Sequence, residues 1–220
     1  MKFNPKVSVV IPTYNNSSFL ADALSSIVKQ SYKHFEIIVI DDGSTDGTFD
    51  RYHIENNDYQ ILSIPHSGAG YARNQGILRS TGEYLAFLDA DDIWPEDKLH
   101  RQIESMLTRH IDLSFTYIDA FLDDEISHLK LKENNLMPGI CASTMLVKKN
   151  VFLDIGLFDE KYKIGEFIEW FIRAKKKITT FDVYSEIIVK RRLHKNNTSK
   201  RSNNRHHDYL KILNNHISDQ

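Results

Sequence analysis

The 220-residue chain has a single cysteine, Cys141. It leaves no partner for an intramolecular disulfide and no thiolate cluster for a metal, so a reducing, cytoplasmic setting is expected. No segment approaches the roughly 20 apolar residues that a membrane span needs, and the N-terminal MKFNPKVSVVIP lacks the apolar stretch of a signal peptide. Membrane contact, if any, is therefore expected to be peripheral, at the inner face. The sequons at Asn15, Asn16, Asn196 and Asn197 then read as chance matches. A large charge excess is also missing. The formal net charge of -2 argues against general nucleic-acid binding. No GxxxxGK[ST] occurs, which excludes a P-loop enzyme. There is neither an internal repeat nor a low-complexity linker.

What is present suits a globular domain: 41% hydrophobic and 26% charged residues. The charge is uneven, because KRRLHK, SKR and RHH crowd the stretch from Lys190 to Lys211. That stretch reads as a solvated helix or tail, or as a patch touching anionic lipid or a phosphate.

The first ninety residues alternate. VSVVI (7–11) is a short β-branched strand expected to stop at Pro12, and SSFLADALSSIVKQ (17–30) has helical spacing with serines placed to cap it. FEIIVI (35–40) is a second strand, followed by the turn-rich DDGSTDGT and a helix from about 45 to 55. Strand YQILSI, helix YARNQGILRS and strand EYLAFLD complete four strands and three helices. Continuous apolar strands separated by helices predict an α/β fold with a mostly parallel sheet covered on both faces. Ligands of such sheets bind outside the carboxyl ends of the strands, here PTYN, DDGS, PHSG and DADD.

The second half is less regular. A helix begins near Pro95–Asp97 and runs through KLHRQIESML, IDLSFTYIDAFLD alternates like a strand, and 123–138 reads as a loop. ASTMLV and the helices KKNVFLDIG and EFIEWFIRAKKK follow. The whole is expected to be one domain, 1–192, with 193–220 as the basic arm.

FLDADD (87–92) carries three carboxylates after an apolar run. If the strand continued, Asp89 and Asp91 would share one side and Asp92 the other. Two such carboxylates plus a diphosphate complete an oxygen shell for Mg²⁺ or Mn²⁺. Asp41 and Asp42 are placed to accept from a base or a ribose, and Tyr14 offers a stacking face; a strand-end acidic pair is equally suited to fixing a turn. GAGYARNQG (68–76) breaks the dinucleotide fingerprint at Arg73.

VSVVIPTYNNSSFLADALSSIVKQSYKHFEIIVIDDGSTDGT together with GAGYARNQGILRSTGEYLAFLDADD resembles the family 2 glycosyltransferases of the GT-A fold. The match is strong over about 5–110; GICASTMLVKKNVFLDIGLFDE and RRLHKNNTS resemble the family's acceptor segment and C-terminal histidine loop with lower specificity. The resemblance implies a nucleotide-sugar-binding half (1–110), an acceptor half (111–192) and inverting transfer from a nucleotide-diphosphate sugar, with UDP-sugars favoured. The acceptor hydroxyl would belong to a saccharide, a lipid-linked sugar or a protein. Pro12, Thr13, Tyr14 and Asn15 would surround the nucleoside, and Asp42 would read the base. Arg73, Asn74, Asp89 and Ala90 would line the donor pocket. Asp89 and Asp91 form the DxD motif, with Asp91 the direct metal ligand and His194 beside the diphosphate or metal.

The family's general base is an Asp following a Glu, and this chain has Glu166-Phe167 there. Glu166 and Glu169, three apart on one helix, are the remaining candidates, although both also suit the positive end of the helix dipole. Two rival functions stay open. A sugar-phosphate nucleotidyltransferase would want a basic loop after the first strand, where PTYNNSSF has none. A nucleotide-sugar-binding module that has lost its base is the other.

Overall fold

The computed structural model describes residues 4–53, 59–128, 130–131, 135–178, 180–195 and 197. Eight strands form one sheet: β1 (Val7–Thr13), β2 (Phe35–Asp41), β3 (Gln60–Ser63), β4 (Tyr84–Phe87), β5 (Leu113–Leu122), β6 (Met137–Gly139), β7 (Leu146–Lys148) and β8 (Asp182–Leu193). The order is β3-β2-β1-β4-β7-β5-β6, with β8 paired to β5. β3, β2, β1 and β4 are mutually parallel, β7 is antiparallel to both β4 and β5, and β8 is parallel to β5. The expected mostly parallel sheet is therefore found, with antiparallel strands in its second half.

Helices α1 (Leu20–Val28), α2 (Thr48–Tyr52), α3 (Ala69–Arg79), α4 (Lys98–Arg109), α5 (Lys149–Ile155) and α6 (Glu166–Lys177) flank it. Alternation along β1 divides the core. Val7, Val9 and Ile11 join α1 and α4 on one face, while Val10 joins the aromatic cluster Phe87, Phe115, Phe152, Phe158 and Trp170. Among the described residues no helix is long and apolar enough to cross a membrane.

Several boundaries move from their expected places. β1 runs through Pro12 to Thr13, which is tolerated because pairing to β4 ends at Val10–Phe87 and Pro12 needs no N–H on that side. The serines before α1 do not cap it; Phe19 is the N-cap residue and no side chain caps the helix. α2 starts three residues late because Asp46 accepts from the backbone N–H of Thr48, with Gly47 at φ 79° completing the turn. Within 123–138, a 3-10 turn at Asp124–Ile126 and the start of β6 replace the expected continuous loop. β8 is the larger correction: Lys190, Arg191 and Arg192, expected in a solvated tail or a surface patch, are strand residues of the sheet. Of the proposed arm, 196 and 198–220 lie outside the described residues.

Candidate active site

The strand ends do gather the polar residues, but local turns decide where each one points. β4 stops at Phe87, and Asp92 N–H donates to the carbonyl of Asp89 at 3.0 Å, so 89–92 is a turn rather than a continued strand. Asp89 and Asp91 consequently do not share a side. Asp89 accepts from Arg73 Nη2 at 2.6 Å, while Asp91 Oδ2 accepts from Asn197 Nδ2 at 3.1 Å and faces His194 Nε2 at 3.0 Å. Asp92 is buried and accepts from the Arg192 backbone N–H at 3.2 Å.

Arg73 is the hub. It projects from α3, is 5% exposed, and divides its guanidinium between Asp89 and Glu166 Oε1, the latter at 2.5 Å. Burial opposes its charge, but the two carboxylates reverse that and raise its pKa. Burial likewise drives Asp89 upward, and Arg73 holds it below the usual carboxylate range. For Asp92, burial reinforced by Asp91 and Asp89 outweighs the Ser143 hydrogen bond and the Arg191 charge and pushes it well above that range.

Glu166 opens α6 behind Gly165, whose φ of 90° turns the chain into the helix. The close approach of Gly70 on α3 makes room for it, since a Cβ there would lie 3.2 Å from Glu166 Cγ. Phe167, at the position where the family's Asp was expected, is buried and stacks with Phe171 at 6.0 Å. Glu169 does not converge on this hub. Both its oxygens take Arg173, at 2.7 and 2.8 Å, and Arg173 in turn donates to the carbonyls of Ile155 and Leu157.

The other expected donor residues are partly at the site and partly in its supports. Tyr14 is 42% exposed and stacks on His66 with ring centroids 4.1 Å apart. Thr13 is buried with Oγ1 unpartnered, Pro12 is half-buried, and Asn15 (φ 52°) accepts from Thr45 N–H at 2.8 Å. Asp42 takes the backbone N–H groups of Ser67 and Gly68 at 2.7 and 2.8 Å and His66 Nδ1 at 2.9 Å, which anchors the loop entering α3. Asn74 is buried and clamps Phe158 through both of its amide atoms. Ala90 lies in the hydrophobic core.

Arg192 and Asn197 were missed by sequence reasoning, and His66 was not singled out. The signal for Arg192 was present, a long cation in a β-branched run, but its partners lie 69 to 170 residues away.

A divalent cation suits part of this arrangement. Ligands at adjacent corners of an octahedral ion, each about 2.1 Å from it, lie about 3.0 Å apart, which is the spacing of Asp91 Oδ2 and His194 Nε2. No cluster of three or more His, Cys, Asp or Glu side chains suited to a metal occurs among the described residues. Asp91 and His194 are two donors of the kinds that divalent cations accept.

Comparison with known proteins decides the family. Residues 8–156 match the model of glycosyl transferase family 2. The chain belongs to this family. It is 42% identical over 126 residues to a putative teichuronic acid biosynthesis glycosyltransferase, TuaG, of Bacillus subtilis, covering 56% of this chain and 50% of that protein. It is 38% identical over 113 residues to an Escherichia coli protein, 50% of this chain and 44% of that one, named as the UDP-Glc:alpha-D-GlcNAc-diphosphoundecaprenol beta-1,3-glucosyltransferase WfgD. The chain thus spans half or less of these two relatives. In fold it resembles S. aureus TarS 1-349 in complex with UDP-GlcNAc, with a TM-score of 0.78 at 19% identity over 94% of this chain and 65% of that one. The Pyrobaculum calidifontis mannosyltransferase PcManGT, in complex with GDP-Man and Mn2+, gives 0.75 at 19% over 100% and 66%. The chain thus has the α/β fold of these neighbours and belongs to a family of enzymes that transfer glycosyl groups.

Proposed function

We propose that the chain moves a sugar from a UDP-sugar to an acceptor hydroxyl with inversion, using Mn²⁺ or Mg²⁺. The observation that carries this reading is the bridge from Asp89 through Arg73 to Glu166, beside the meeting of Asp91 with His194. It places a carboxylate, a buried cation and a candidate metal corner along one edge of the sheet.

Asp91 and His194 would hold the cation, with Asp89 aligned by Arg73. A bound cation supplies positive charge against the departing nucleoside diphosphate. Tyr14 offers the base a face on which to stack, and Asp42 fixes the loop beneath it. Arg73 keeps Glu166 oriented, with 11% of the Glu166 side chain exposed. Glu166 takes the proton from the acceptor hydroxyl as that oxygen attacks the anomeric carbon, and a single displacement inverts the centre. UDP-linked donors are favoured by the names of WfgD and of the TarS complex, whereas PcManGT was solved with GDP-Man. WfgD also favours a lipid-linked saccharide acceptor and hence work at the inner face of a membrane. Residues 1–110 would serve the donor and 111–192 the acceptor, with 193–220 as a basic arm beside the lipid.

The position of Phe167 in the core supports a second reading, a module that binds nucleotide sugar without turnover. Thermal unfolding with UDP, GDP, CDP and ADP, with and without Mn²⁺, tests binding first. A ligand at ~100 times its Kd adds about 2.7 kcal/mol. We expect a metal-dependent shift with UDP that Asp91→Asn abolishes; no shift with any nucleotide would sink both readings. Glu166→Gln should keep the shift and lower sugar transfer, or donor hydrolysis, by roughly 10²-fold or more. Binding without turnover in the wild type would favour the second reading.

A further inference from the structure

Arg192 is half-buried near the end of β8, with 11% of its side chain exposed, and it meets three separate parts of the chain. Its Nη2 donates to Asp22 on α1 at 2.7 Å, Nη1 to Asp123 beyond β5 at 3.2 Å, and Nε to the carbonyl of Asp91 at 3.3 Å. The guanidinium carbon lies 4.9 Å from the ring centroids of both Phe19 and Phe121. Its backbone takes part as well: the N–H donates to Asp92 Oδ1, and the carbonyl accepts from Asn197 Nδ2 at 3.2 Å. Two residues later, His194 lies against Phe19, with centroids 4.7 Å apart, and its N–H donates to Asn197 Oδ1 at 2.6 Å.

We infer that Arg192 is a positioning residue that fixes the acidic turn 89–92 and the residues Leu193, His194 and Asn197 to a common frame. Its planar fork is what the job requires, since three acceptors in divergent directions and two aromatic faces are met by one rigid group. A lysine carries the charge but neither the fork nor the planar face. Arg192 therefore sets the distance between Asp91 and His194 without touching a substrate. A basic residue that composition offers to lipid or phosphate is instead an internal brace of the site.

The role in metal and donor binding rests on the function proposed above, whereas the bracing itself does not, so two measurements separate them. Hydrogen–deuterium exchange on wild type and Arg192→Lys reads the bracing without ligand. We expect faster exchange of the amides in 91–94 and 193–195 together, with those of β1 and β2 unchanged. Unchanged exchange in both segments, or a loss spread evenly over the sheet, overturns the inference. Asp22→Asn keeps the guanidinium and removes one exposed anchor; a smaller loss in the same two segments is expected, and this variant carries the test if Arg192→Lys does not fold. The second measurement is titration with Mn²⁺ in the presence of UDP. Support for a bound metal removed in this way typically costs roughly 10-fold or more in affinity, and that weakening is expected in Arg192→Lys. Equal affinity in wild type and variant overturns the inference. If the wild type does not bind Mn²⁺ with UDP, the proposed function fails and the exchange result alone decides the role of Arg192.

Discussion

Glu166 and Glu169 show what a single side chain takes from its neighbours. Helical spacing gives them one face, yet Glu166 reaches Arg73 on α3 while Glu169 is held by Arg173 one turn along. Sequence reasoning prefers Glu166, which follows Gly165 and aligns with the family's Glu, but keeps Glu169 as a candidate because nothing local reveals that Arg73, 93 residues away, arrives beside the first. Glu169→Gln is expected to lower the melting temperature while leaving turnover per folded molecule within several-fold, the opposite pattern to Glu166→Gln; calorimetry with an activity assay separates them. Glu36 offers a residue-scale prediction away from the site. Burial would raise its pKa, but Lys6, Ser8 and Thr81 bring it down from 4.5 to about 2. A carboxylate depressed by folding adds stability above its unfolded pKa and loses it as pH falls through the folded one. Urea unfolding should show stability falling between about pH 4.5 and 2 in wild type, and a shallower fall in Glu36→Gln.

Elements were legible where they are local and repeat cleanly. The parallel β1–β4 half, with its helices, was read from continuous apolar strands and helical spacing, and its polar ends were placed on the correct edge. β8 was not read. Its register to β5 slips between Thr116 and Tyr117, so Ser185–Ile187 fall out of step and the period of two is broken. The turn at 89–92 escaped for a related reason: strand parity was extended past Phe87, where the sheet had ended. α3 supplies a test of element packing. A Cβ at Gly76 would meet Val10 Cγ1 at 2.3 Å, so α3 seats on β1 only with glycine there. Gly76→Ala is expected to destabilise by about 1–3 kcal/mol through overpacking. The double variant with Val10→Ala should cost less than the sum of the two single changes in a denaturation cycle.

At the scale of the whole molecule, a fully buried lysine affects global stability. Lys98 is 0% exposed, donates to Gln102 Oε1 at 2.7 Å, and sits 4.0 Å over the Trp94 ring. Burial lowers its pKa from 10.5 to about 7. Between those values the unfolded chain binds more protons than the folded one, so stability rises with pH across the window. Lys98→Met is expected to flatten that rise and to be more stable than wild type at neutral pH, as read by urea unfolding at several pH values. Unchanged slopes would show that Lys98 stays charged when folded.

The contacts between the acidic turn and the end of β8 span the chain: Asp92 to Arg192 is 100 residues apart and Asp91 to His194 is 103, and Ile93 also bridges Lys190. During synthesis, β1–β4 leave the ribosome long before the β8 residues that pack beside them. Such distant pairings form late because the intervening loop must first be closed. A nascent or prematurely terminated chain can thus hold a formed β1–β4 sheet and still lack the partners that Asp91 and Asp92 meet at the end of β8.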